Sequence, residues 1–243
     1  MLSLVVVSTA ALVLAAADFD LEKFFDEQRQ ATRADLAGKE SVELEIVGEI
    51  TERLSDNFGA ELKAASAAKQ ITIMIDTMGG SSDAGRTIAQ SIEKAAKRAA
   101  VTCIVDGQAL SAGFYILQSC PVRILTKRSL LMAHEPWLGG GGMGGTHRAD
   151  AIRALELIDA EARAYAEQCA ARLTITSDEF LAKIRNRDWW ISPMEAAKLG
   201  AVDQVVASPN EAMRAKPRAS KKAAPAYKFQ ISPVVPMRPP DEK

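Results

Sequence analysis

The feature that most restricts this chain is a repeated alternation between β-branched runs and segments with helical spacing. Val42-Glu43-Leu44-Glu45-Ile46-Val47 alternates apolar and charged residues as a half-buried strand does, and residues 51 to 68 set Leu54, Phe58 and Leu62 on one side of a helix. Ile71 to Asp76 reads as a second strand. A helix with Ile88, Ile92, Ala95, Ala96 and Ala99 at helical spacing follows, and Val101 to Val105 is a third strand. Strand, helix, strand, helix predicts an α/β fold of repeated, parallel β-α-β units, since a parallel neighbour is reached only through a crossover that packs on the sheet. Ligands of such sheets gather at loops beyond the C-terminal ends of the strands.

Two of those loops carry glycines. Asp106-Gly107-Gln108-Ala109-Leu110-Ser111-Ala112-Gly113-Phe114 brings a strand, a glycine turn and a helix together at Ser111. A hydroxyl there stands at a helix N-terminus, where unpaired backbone N–H groups and the positive dipole end stabilise an anion. The same place also suits a plain capping serine. The other loop, Met78-Gly79-Gly80-Ser81, lets backbone approach a ligand closely, but no GxxxxGK[ST] pattern occurs, which excludes ATP binding through a Walker motif.

An imidazole base must be His134 or His147, the two histidines of the chain. His134 follows the strand Leu130 to Ala133 and so falls among the loops. His147 opens a helix from about Arg148 to Leu173, where it reads as a surface or interface residue. The stripe Ile152, Leu155, Ile158, Ala162, Tyr165, Ala166 and Cys169 on that helix reads as core or subunit interface. Ahead of it lie six glycines in residues 139 to 145, a segment that is flexible or pairs its backbone with another chain. Thr176 to Glu179 is a capping box, and Ser192 with Pro193, Glu195 and Gly200 marks the start and stop of a further helix. The paired Trp189-Trp190 reads as core packing.

Lys+Arg 30 against Asp+Glu 31 calls for no nucleic-acid partner. Cys103, Cys120 and Cys169 are too few and scattered for a disulfide scaffold, and Cys103 is expected to face the core. No Cys/His cluster suggests a metal, and the chemistry calls for no cofactor. Residues 1–17 hold no charged side chain and end in Ala15-Ala16-Ala17, as a signal peptide with an A-x-A cleavage site does, so the expected location is exported, periplasmic or secreted. Without that signal the chain would be cytoplasmic. Residues 18–40 are a charged segment and 41–207 the folded domain. In 208–243, which holds seven of the ten prolines, the composition is that of a disordered Pro/Lys-rich tail.

From about Val42 to Val206 the chain resembles the proteolytic subunit of the Clp protease, ClpP. Ile75-Asp76-Thr77-Met78-Gly79-Gly80-Ser81 is similar to the family's strand and PGGS loop, with Met78 in place of proline. Gly107 to Gly113 resembles the nucleophile turn, Met132-Ala133-His134-Glu135-Pro136 the MIHQP histidine, and Arg187-Asp188-Trp189-Trp190-Ile191-Ser192 the segment bearing the acid. The resemblance implies the ClpP/crotonase fold with a protruding handle helix. It also implies a serine endopeptidase with Ser111 as nucleophile, His134 as general base and Asp188 as its orienting partner, the backbone N–H groups of Gly80 and Ala112 forming the oxyanion hole. A peptide or unfolded protein is the implied substrate, and a homo-oligomeric ring, heptameric in the family and fed by an ATPase, the implied assembly. Three other readings compete. One is an inactive ring subunit or scaffold, another an acyl-CoA enzyme of the crotonase type, and the third a Ser/Lys dyad peptidase.

Overall fold

The computed structural model describes residues 30–136 and 147–214. The export segment 1–17, the glycine run 139–145 and the tail beyond 214 therefore lie outside the described residues. The expected crossovers are present: β1 (Ser41–Ile50), α1 (Glu52–Ala64), β2 (Gln70–Gly80), α2 (Ser82–Ala96) and β3 (Ala100–Leu110) follow one another. The chain continues through α3 (Ala112–Ser119), β4 (Val122–Thr126) and β5 (Leu130–Ala133). After these come α4 (Arg148–Ala170), α5 (Ser177–Ile184), β6 (Trp189–Ile191), α6 (Pro193–Leu199), β7 (Gln204–Val206) and α7 (Pro209–Arg214).

The sheet runs β1-β2-β3-β4-β7, every pair parallel. Alternation decides which face is covered: Val42, Leu44, Ile46, Ile71, Ile73 and Ile75 point into one core with Ile88 and Ile92 of α2 and the fully buried Phe114, Ile116 and Leu117 of α3. A smaller cluster, Ile104, Ile124, Val206 and Ala212, covers the other face. Ala212 belongs to α7, so residues 209–214, assigned from composition to a disordered tail, carry one more helix of the domain. A single buried alanine against a strand leaves no periodic signal in a proline-rich stretch.

β3 changes partner half-way. Residues 102–105 pair with β4, whereas Gln108 to Leu110 pair with β5, which in turn pairs antiparallel with β6. A second, small layer of strands thereby rises from the C-terminal end of the sheet. Buried Arg123 braces the junction below it: its guanidinium donates to Asp203 Oδ1 at 2.9 Å and to Gln118 Oε1 at 2.7 Å, linking β4, the β7 approach and α3. The helix signals hold with one amendment. Thr176 and Glu179 form a complete capping box, but at α6 only one arm is made, the Ser192 hydroxyl accepting from Glu195 N.

Two cysteines are joined. Cys103, facing the core from β3, bonds Cys120 at the C-terminal end of α3, with Cα atoms 6.0 Å apart. Their separation of 17 residues looks scattered in sequence, yet the short helical return from β3 brings the ends together. Closing a loop of this length stabilises a domain by roughly 3 kcal/mol, mainly by restricting the unfolded chain. Reduction, or Cys103→Ala with Cys120→Ala, is expected to lower Tm by roughly 6 to 12 °C in a thermal melt.

Candidate active site

The site is built at the bifurcation of β3. Ser111 closes that strand and starts α3 with φ 54°, a left-handed conformation that a serine adopts only under strain. Such a turn between strand and helix lifts the side chain out of the sheet, as a nucleophile elbow requires. Its backbone N–H donates to the Met132 carbonyl of β5 at 2.8 Å. Since His134 lies two residues beyond Met132, this bond fixes the serine relative to the histidine. The result is a short contact, His134 Nε2 to Ser111 Oγ, 2.6 Å.

Asp188 arrives from 54 positions further along the chain. β6 pairs with β5 in the register Ala133↔Trp189, so the next residue on each strand, His134 and Asp188, face one another. His134 Nδ1 lies 3.6 Å from Asp188 Oδ1, an ion-pair distance rather than a hydrogen bond, and the carboxylate is 52% exposed. Aromatic packing seats this strand on α3, the helix that Ser111 starts: Phe180 stacks on Phe114 at 6.1 Å and meets Trp189 edge-on at 5.6 Å. The tryptophans therefore divide. Trp189 packs on the core, as expected for the pair, while Trp190 is 49% exposed.

The glycine loop is the last part of β2 rather than a turn after it, for Gly80 still pairs with Ile50 of β1. Gly79, at φ 93°, lies against the elbow; a Cβ there would fall 2.8 Å from Ser111 Cβ and 3.2 Å from Ala112 N. Ala112 is the first residue of α3, where the helix offers its N–H no acceptor. Two groups missed in the sequence hold this loop. Buried Thr77 donates its hydroxyl to Gly48 O and accepts from Gly79 N at 3.1 Å. Beyond the glycines, Ser81 caps α2, and its hydroxyl donates to Glu52 at 2.7 Å, holding that carboxyl below the usual range. A threonine inside a strand pattern gives no sign of such a role. His147 sits at the exposed N-cap of α4, remote in the chain from these contacts. Among the described residues no His/Cys/Asp/Glu group is arranged to hold a metal.

Residues 27–209 match the sequence profile of the family described as Clp protease. The chain belongs to the Clp protease family. It is thus a ClpP-like, serine-type endopeptidase by class. It is similar to the ATP-dependent Clp protease proteolytic subunit 1 of Chlamydia muridarum, 32% identical over 153 residues, which span 62% of this chain and 77% of the relative. The proteolytic subunit of Streptococcus gordonii is 30% identical over 171 residues, 68% of this chain and 84% of its own. Among solved structures, a mutant of ClpP1 from Listeria monocytogenes superposes with a TM-score of 0.59 at 23% identity, covering 76% of this chain and 98% of that one. This likeness carries the ClpP/crotonase-like fold.

Proposed function

We propose that this ClpP-like chain hydrolyses peptide bonds with a Ser111-His134-Asp188 triad, in an exported compartment and as a homo-oligomer. The observation that carries the reading is the 2.6 Å contact between His134 Nε2 and Ser111 Oγ. Ser111 Oγ attacks the scissile carbonyl carbon while its proton passes to His134 Nε2, which then delivers it to the leaving amine. Water, deprotonated by the same nitrogen, releases the acyl group and restores the serine. Asp188 stabilises the imidazolium, and the N–H groups of Gly80 and Ala112 receive the oxyanion. Every step is supplied by side chains and backbone of this chain.

Export is supported by the charge-free residues 1–17 and by the Cys103–Cys120 bond, of a kind that persists in oxidising compartments. Ring assembly is supported by the apolar residues that α4 leaves uncovered, Ile152 at 46% and Leu155 at 56% exposure. The relatives' names make them ATP-dependent. An exported chain would instead take peptides and unfolded segments without an ATPase. One experiment covers these points: the C-terminally tagged protein is recovered from fractionated cells, treated with a fluorophosphonate probe, and its N-terminus and labelled peptide are sequenced. Labelled Ser111 on an extracytoplasmic chain beginning near Asp18 is expected. An oligomer that never labels would identify an inactive ring subunit, and an intact Met1 on cytosolic protein would refute export.

A further inference from the structure

The antiparallel ladder that brings Asp188 opposite His134 ends at Ala133↔Trp189, before it reaches either residue. Past that point the His134–Asp188 approach is a loose 3.6 Å. Glu135 supplies a closer contact one residue on. Its Oε2 accepts the backbone N–H of Asn186 at 2.8 Å, and its Oε1 lies 3.7 Å from Arg185 Nε. Asn186 has φ 57°, the left-handed conformation through which the chain reverses from the end of α5 into β6. The turn is tied on its other side, with Arg187 N donating to Ile184 O and the Arg187 guanidinium to Ala182 O. The carboxylate of the residue after the general base thus grips the turn that delivers the acid.

We propose that Glu135 is a positioning residue, a clasp that holds the Arg185–Arg187 turn so that Asp188 stays within reach of His134 Nδ1. It touches no reacting atom and acts through Asp188. The inference rests on the triad reading. Its role follows from the geometry of the strand ends: a hairpin-like pair whose ladder stops short of its functional residues splays unless another contact bridges it. An acceptor just past the end of β5, bonded to a backbone N–H of the turn that leads into β6, is such a bridge. The neighbouring arginine adds attraction, although at 3.7 Å and with half of its side chain exposed it contributes little beside the charged hydrogen bond.

The test compares Glu135→Gln, Glu135→Ala and Glu135→Met in the full chain, with peptide hydrolysis and the rate of fluorophosphonate labelling as readouts. Glu135→Ala is expected to lower kcat about tenfold, the size of a lost hydrogen bond to a charged group, with KM nearly unchanged. Glu135→Met, which keeps the side chain's length but offers only a weakly accepting thioether, is expected to behave alike and carries the test if the alanine variant does not fold. Glu135→Gln, whose amide oxygen still accepts from Asn186, should stay within about threefold of the parent, because it loses only an exposed charge pair. Introduced into Asp188→Ala, the Glu135→Ala change should alter kcat less than about twofold, since there is no acid left to position. A full additional drop in that background would show a role independent of Asp188 and overturn the proposal, as would a Glu135→Ala enzyme of parental kcat. If the parent itself fails to label at Ser111, the triad reading falls instead, so the two failures are distinguishable.

Discussion

Ser111→Ala is expected to abolish fluorophosphonate labelling and to cut kcat for a fluorogenic peptide by roughly 10⁶-fold, the scale seen when a serine protease loses its nucleophile. His134→Ala should cost a similar factor, and the double variant hardly more than either alone. The reason is geometric. In the proposed triad the serine is activated through the 2.6 Å contact to His134, so removing either partner would leave the other with nothing to act on. Ser111 is also strained at φ 54°, so alanine in its place gains no backbone relief and the elbow should persist. Parental melting of Ser111→Ala would therefore confine the loss to chemistry. Full hydrolysis by purified Ser111→Ala would sink the assignment.

Gly80→Ala is expected to have the next largest effect on turnover, by a different route. Gly80 has φ 149°, and a Cβ on it would fall 2.3 Å from the Ile50 carbonyl oxygen. That oxygen cannot retreat cheaply: it belongs to the end of β1 and accepts from Ser81 N at 2.8 Å. The glycine segment must shift instead, towards an elbow that Gly79 already touches. A fall of about 10² to 10³ in kcat is expected, as for loss of one oxyanion donor, together with a lower Tm. Labelling should slow in proportion, because in the proposed mechanism the probe's phosphoryl oxygen would use the same donors. An alanine variant with parental kcat would show that the loop does not support the oxyanion.

The parallel crossovers were readable in the sequence because alternation in β1 and β2 and the spacing of α2 are local patterns that tertiary packing reinforces. That Ser111 and His134 fall near one another was readable for a related reason: each follows a strand, at the same end of a parallel sheet. Asp188 needed the resemblance, as nothing near it in the chain separates it from other exposed acids. What stayed hidden depends on pairs distant in sequence. The extension of β2 through Gly79 and Gly80 is held by Ile50, the grip of Thr77 by Gly48, and the Cys103–Cys120 bond by the return of α3. Glu135 was visible as a residue within a motif, but its partner Asn186 lies 51 positions away. A glycine pair invites the reading of a turn because conformational freedom is its local signature; here that freedom lets a strand end lie against Ser111.

The three proposed catalytic side chains do not share one level of stability. Ser111 and His134 are joined through the main chain by the bond from Ser111 N to Met132 O, within a sheet whose central strands have partners on both sides. Asp188 leads into the hem of the structure: β6 has three residues and, among the described residues, one neighbour. In amide exchange the two regions should form separate cooperative units, with β6 opening at a smaller free energy than β3 and β5. Opening of the hem would leave a serine and a histidine in place without their acid. The resting population of such a frayed subunit, more than any occlusion of the crevice, would then set how much of the peptidase is competent at a given moment.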